Sequence, residues 1–119
     1  MLNLDTHILL HAVTGDLTPR EQKQLAAEPW SISAIVLWEI ARLAQLGRIT
    51  IDLADPAVIR VLAAVHVWPI TIDIARVSAG LDVRVDPADE LVAATSIVQR
   101  VPLVTRDRLL RRSRLVPLA

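Results

Sequence analysis

Apolar residues along this chain come in short dense runs, separated by polar residues that favour turns and helix caps. "LNLD", residues 2–5, is too brief for a helix and reads as a strand that stops on an acid. "THILLHAV", residues 6–13, then reads as a helix with Thr6 as a candidate cap. "TPREQKQLAAE", residues 18–28, begins with Thr18 at the N-cap and Pro19 at the first helical position, where a missing N–H costs nothing. "WSIS", residues 30–33, is a second strand. Ser33 can cap the helix at 34–46, and Gly47 stops that helix in the C′ position. Asp55 and Pro56 repeat the cap-then-proline device ahead of a further helix. "VWPI", residues 67–70, is strand-like and ends at Thr71, and "IDIARVSAG" is a short helix closed by Gly80. Asp86 and Pro87 open a helix that runs to about Arg100. "PLVT", residues 102–105, is a strand, "RDRLLRRS" a helical turn, and "LVPL" a terminal strand that Pro117 restricts to an edge.

Short apolar strands that alternate with helices predict an α/β layered domain, with a mostly parallel sheet covered on both faces. The chain's 119 residues amount to a single domain over 1–119. That length buries a sizeable core without covalent staples. In such sheets the functional crevice lies beyond the carboxyl ends of the strands. Asp5 and Asp107 both follow strands at that edge.

Composition narrows the classes. The apolar fraction is 53%, with no Phe or Tyr, so Leu, Val, Ile and Ala must fill the core around three Trp. The absence of cysteine excludes disulfides and thiolate metal sites. The run "VLAAVHVWPITI", residues 61–72, is too short to cross a bilayer and contains Pro69. The N-terminus lacks the basic-then-apolar pattern of a leader. These features fit a soluble, cytoplasmic protein. The net charge is zero, so bulk charge does not argue for nucleic acid. Its distribution does, because six of the thirteen basic residues fall between Arg100 and Arg114. Such a patch either contacts phosphates or is a solvated helix end.

Four carboxylates stand out as candidate chemistry: Asp5, Glu39, Asp89 and Asp107, with Asp86 as a fifth. Asp5 could simply cap the helix after it, and Asp107 the turn after it. Asp89 sits in a first helical turn, where the helix dipole favours acids. Glu39 emerges beside the apolar face of its helix, with Ile35 and Leu43 four residues away on either side. A carboxylate there needs a partner, either Arg42 or a cation. Together, the acids at one sheet edge would repel each other without a cation, and hard ions such as Mg²⁺ take oxygen ligands. Such a metal activates water and stabilises charge on a phosphoryl group in transfer. Other chemistries fare worse. His7 and His11 share a helix face but lack a third zinc ligand. His66 reads as structural. No serine has a His/Asp pair, and three glycines make no phosphate loop.

At this point the residues resemble the PIN-domain family. "LNLDTHILLHAV" is similar to its opening strand and helix, where Asp-Thr precedes Asn or His. "SISAIVLWEIARLAQLGRI" is similar to its second block, which places an acid on a helix. "DPADELVAATSIVQRVPLVTRDRLL" is similar to the segment carrying its third and fourth acids. Size and block order most resemble VapC-type toxins of bacterial toxin–antitoxin pairs. The resemblance implies a three-layer α/β/α fold, with Asp5, Glu39, Asp89 and Asp107 as catalytic metal ligands. Thr6, Thr105 and Asp86 would support them. It implies an endoribonuclease using Mg²⁺ or Mn²⁺ to activate water against an RNA phosphodiester. Arg106, Arg108, Arg111 and Arg112 would hold the RNA backbone. It further implies structured RNA such as tRNA or a ribosomal RNA loop as substrate, a VapB-like antitoxin as partner, and a homodimer. The chain departs from the pattern at Glu90, where many relatives carry Arg, which adds negative charge near the pocket.

Two other classes compete. A phospho-acceptor receiver domain shares the layering and an acidic Mg²⁺ pocket, but it needs a lysine ending its last strand, and Lys23 is the only lysine here. A non-catalytic PIN-like interaction module would keep the fold with a dead pocket, and the full acidic set argues against it.

Overall fold

The computed structural model describes residues 1–119. The elements run β1 (Leu2–Leu4), α1 (Thr6–Thr14), α2 (Pro19–Ala26), β2 (Trp30–Ser33), α3 (Ala34–Gln45), α4 (Pro56–Ala63), β3 (His66–Trp68), α5 (Ile72–Ala79), α6 (Pro87–Gln99) and β4 (Leu103–Val104), then a 3₁₀ turn at Leu110–Arg112. The four strands form one sheet in the order β3-β2-β1-β4. Every neighbouring pair is parallel, so the mostly parallel sheet expected is wholly so. Six helices flank it, which makes the three-layer α/β/α architecture. β1, β2 and β4 are buried as two-sided strands require, while β3 is an open edge with His66 and Val67 exposed.

Local chemistry explains most boundaries. Thr18 and Glu21 exchange the reciprocal bonds of a capping box at α2, with Pro19 just inside. Ser33, Asp55 and Thr71 cap α3, α4 and α5 with their side-chain oxygens. Gly47 adopts the left-handed conformation (φ 69°) just beyond α3, as its C′ role needs. Several boundaries differ from expectation, α2 ending at Ala26 and β4 spanning only Leu103–Val104. β3 begins at His66 and ends at Trp68, because Pro69 cannot donate to a ladder. α1 is capped by Asp5, whose carboxylate accepts from the Thr6 N–H at 2.8 Å, so Thr6 is the first helical residue. The last residues extend the sheet beyond β4 by a single parallel bridge, Leu103 to Leu118. The Pro117 carbonyl accepts from the Leu103 N–H at 2.8 Å, a role that needs no N–H from proline.

The core gathers Leu4, Ile32 and Leu103 from the sheet with Ile8, Val36 and Val92 from the helices, all fully buried. Asn3 is a polar member of that core. Its amide nitrogen donates to the Val92 carbonyl (3.2 Å) and to Ser96 Oγ (2.8 Å), which fixes α6 against β1. The chain winds from β1 through β2 to β3, then crosses back to lay β4 on the far side of β1. That reversal between β1 and β4 is the topological switch point, and a crevice opens beyond the carboxyl ends of such strands. No helix is long and apolar enough to cross a membrane.

Candidate active site

The switch point brings the sequence's two strand-ending acids together. Asp5 follows β1 and is 3% exposed. Its Oδ1 caps α1, and its Oδ2 accepts from the Thr105 hydroxyl at 2.7 Å, across 100 residues of chain. The same Thr105 Oγ1 accepts from the Asp107 N–H at 3.0 Å. Thr105 therefore links the two acids through one hydroxyl. Asp107 in turn accepts through Oδ1 from the amides of Leu109 and Leu110, at 2.8 and 3.0 Å, and so caps the closing turn.

Glu39 projects from α3 toward the same edge, half-buried. The expected alternative of an Arg42 salt bridge is not formed, since Arg42 reaches only Gln45 Oε1 at 3.4 Å. Glu39 instead accepts from the Thr6 hydroxyl at 2.6 Å. Thr6 and Thr105 thus each hold one of the acids. Asp89 lies in the first turn of α6, positioned by the Asn3 contacts one turn further along that helix. Asp86 occupies the N-cap position of α6 but makes no side-chain cap bond, and it lines the same cleft as Glu39 and Asp89.

The electrostatics record how closely these groups crowd. The Asp89 carboxyl is pushed up to about 7, first by burial and then by the charges of Asp5, Glu39, Asp107 and Asp86. Burial also raises Glu39, against the Thr6 hydrogen bond, with Asp5 and Asp86 adding to the rise. No lysine or arginine pairs with any of these five acids. Glu90, the departure from the family pattern, pairs with Arg84 at 3.1 Å and does not line the cleft. An all-oxygen donor set with surplus negative charge and no protein counter-ion fits a hard divalent cation. No three Asp, Glu or His side chains close around a single point. That spacing is compatible with magnesium, which keeps several waters and typically takes only one or two carboxylates directly.

The basic cluster divides into unequal parts. Arg106 is committed to structure: it grips Glu21 with two bonds of 2.6 and 2.8 Å and the Asp16 carbonyl at 3.1 Å. That grip holds the Glu21 carboxyl down at about 2. Arg111 reaches the Thr105 carbonyl at 3.3 Å, while Arg108 and Arg112 are exposed and unpaired. Arg108 and Arg111 line a second hollow of about 410 Å³ together with Thr105 and Arg106.

A larger cleft of about 700 Å³ runs from Glu39, Asp86 and Asp89 between α1 and α3. Its walls carry residues that the sequence pattern left unassigned to the site, chiefly Trp38, Arg42 and Arg48. The available signal was helical spacing, since Trp38 and Arg42 are four apart on α3 and flank Glu39.

A family model for the PIN domain matches residues 3–114. No curated protein matches the chain. Among solved structures, the fold is similar to VapBC2 from Rickettsia felis bound to a DNA fragment from its promoter, with TM-score 0.75 and 17% identity over 100% of this chain and 98% of that one. It is similar to DNA-bound VapBC from Salmonella typhimurium, with TM-score 0.67 and 21% identity over 100% and 98%. It is also similar to a toxin–antitoxin complex from Klebsiella pneumoniae, with TM-score 0.69 and 22% identity over 90% and 87%. At these identities the likeness is one of fold. The family match over nearly the whole length is independent of them, and by it this chain belongs to the PIN-domain family.

Proposed function

We propose that this protein, acting as one domain over residues 1–119, is a Mg²⁺- or Mn²⁺-dependent endoribonuclease, the VapC-type toxin of a toxin–antitoxin pair. The observation that carries the reading is the crowd of carboxylates around Asp89, partly buried and with no protein cation to balance them. Asp5, Glu39, Asp89 and Asp107 would hold the metal, with Asp86 as an auxiliary carboxylate. When bound, the metal supplies activation of water and stabilisation of the charge that develops on the phosphate. The chain's own work is orientation. The Thr105 hydroxyl and the Thr6 amide fix both oxygens of Asp5, and the Thr6 hydroxyl fixes Glu39. In this reading Arg108, Arg111 and Arg112 would hold RNA phosphates; Arg106, expected to join them, is engaged by Glu21.

The partner in this reading is a VapB-like antitoxin in the cytoplasm, whose tail fills the acidic crevice. Its support is the fold shared with toxin–antitoxin complexes. Exposed apolar residues at the β3 edge, including Val67, Ile70 and Ile72, suit a homodimer face. The experiment is incubation of purified protein with total bacterial RNA in Mg²⁺ or Mn²⁺, beside EDTA and a folded Asp5→Asn variant. Discrete metal-dependent fragments that vanish in the variant are the expected result. Equal cleavage by the variant would refute the site. No cleavage by a folded, metal-binding wild type, across RNA from several sources, would leave a non-catalytic interaction module.

A further inference from the structure

We propose that the cleft between α1 and α3 is a nucleotide-binding groove, in which an unpaired base stacks on Trp38 while Arg42 and Arg48 hold the adjoining phosphates. The inference rests on the nuclease reading and deepens it, because it assigns this chain's own base-stacking and phosphate-holding residues beside the cut site.

Trp38 is the residue out of place. Tryptophan is usually well buried, and this chain has no Phe or Tyr to share its aromatic duties. The other two tryptophans are used in the fold. Trp30 donates its indole N–H to the Leu25 carbonyl at 2.7 Å, and Trp68 packs edge-on against His66 at 4.2 Å between ring centroids. Trp38 does neither and is 58% exposed. It stands one residue before Glu39 and lines the cleft that Glu39 and Asp89 close at one end. An indole face open to a groove beside a phosphodiester site is a stacking platform for a base.

Four acids line the groove, and three of them (Glu39, Asp86 and Asp89) belong to the proposed metal site, so Arg42 and Arg48 are the positions along it that can hold a phosphate. Arg42 lies one turn beyond Trp38 on the same helix, and Arg48 follows Gly47, whose left-handed backbone turns the chain back along the cleft. Neither arginine pairs with an acid. His7 and His11, four apart on α1, line the groove from its other side. The volume of about 700 Å³ lies inside the range that encloses small ligands, roughly 300–1,000 Å³. A base can reach an indole face only if it is not already paired and stacked, so a loop can make this stack and a regular duplex can touch the groove only through its phosphates.

The test is binding without turnover. Asp5→Asn protein in Mg²⁺ is titrated with a fluorescein-labelled RNA hairpin bearing an unpaired loop, and with the fully paired duplex of the same sequence. Anisotropy and tryptophan emission are both read, and the titration is repeated on wild-type protein in EDTA to guard against misfolding of the variant. The hairpin is expected to bind and quench emission, and the duplex to bind without quenching. Adding Trp38→Ala is expected to weaken hairpin binding about 5- to 150-fold, while Trp38→Phe keeps most of it. Arg42→Ala and Arg48→Ala should each flatten the salt dependence by about 0.7 in log–log slope. Unchanged hairpin affinity in Trp38→Ala, or equal quenching by the duplex, would overturn the groove and leave the cleft to another ligand, such as a segment of a protein partner. If wild type also cleaves RNA, only this inference falls. If wild type neither binds nor cleaves RNA, the nuclease reading falls with it.

Discussion

Replacing Thr105 by valine removes one hydroxyl and little volume, at the point where β4 meets β1. That hydroxyl donates to Asp5 Oδ2 at 2.7 Å and accepts from the Asp107 N–H at 3.0 Å. Asp5 and Thr105 are 3% and 4% exposed, so water does not replace what is lost. A hydrogen bond to a charged group contributes about 1.5–3 kcal/mol, and a stranded half-buried N–H adds up to about 1 kcal/mol. The expected loss is about 2–4 kcal/mol. At roughly 2.1 cal/mol/K per residue, the unfolding entropy of 119 residues is about 250 cal/mol/K, so each kcal/mol moves Tm by about 4 °C. Thr105→Val should therefore melt about 8–16 °C below wild type. Thr105→Ser keeps the hydroxyl and loses one buried methyl, costing about 1 kcal/mol, or about 4 °C. Calorimetry of all three proteins in EDTA at pH 7.5 reads the order directly. A serine variant that melts at or below the valine variant would mean that packing, and not the hydroxyl bridge, joins the two strands.

Asp89 and Arg106 give predictions with opposite pH signs. The Asp89 carboxyl sits at about 7 when folded, above its ordinary value of 3.8, so between those values the folded chain holds a proton that the unfolded chain has released. Metal-free stability should fall as pH rises from about 4 to 7, and Asp89→Asn should melt above wild type at pH 8, with the gap closing toward pH 4. An Asp89→Asn protein that melts lower at pH 8 would contradict the crowding. Millimolar Mg²⁺ should raise the wild-type Tm at pH 8 and raise that of the variant less. Glu21 is held at about 2, chiefly by the Arg106 hydrogen bonds, so that contact stabilises above pH 4.5 and is lost as pH falls through 2. Arg106→Ala should lower Tm modestly at pH 7, as solvent screens a pair this exposed, and should converge on wild type near pH 2. A gap that persists unchanged at pH 2 would assign the loss to packing of the arginine stem.

What could be read from the sequence was what acts over a few residues. Thr18–Pro19, Ser33 and Asp55–Pro56 each mark a helix start, because a cap bonds an amide two or three residues away. The alternation of strands and helices fixed the layer architecture for the same reason. Strand order was not legible, since pairing β4 beside β1 joins residues about a hundred positions apart. Glu21 to Arg106, 85 residues apart, was hidden likewise, and with it the fact that one arginine of the basic cluster is already engaged. The Asp5, Glu39, Asp89 and Asp107 set was proposed on resemblance and residue type. Their shared edge was legible, but the Thr105 and Thr6 hydroxyls that hold Asp5 and Glu39 there follow only from the fold. Trp38 escaped notice because an aromatic on an apolar helix reads as core, and only its exposure sets it apart.

For each strand-ending acid, capping a turn is compatible with the ligand role proposed for it. An ionised carboxylate has two oxygens and about four acceptor sites. Asp107 uses Oδ1 alone for the amides of Leu109 and Leu110, which leaves Oδ2 without a protein partner. Asp5 takes one bond at each oxygen, from the Thr6 amide and the Thr105 hydroxyl, and keeps a lone pair on both. Capping thus fixes the plane of each carboxylate without exhausting it. Asp86 and Asp89 carry no such bonds and remain free to adjust. The site therefore combines two rigid acids at the strand ends, one acid tethered through Thr6, and two adjustable acids on α6. A cation drawn into it would meet an oriented wall on the sheet side and a compliant one on the helix side. Weakening the wall through Thr105 should lower metal affinity even though Thr105 itself binds no metal.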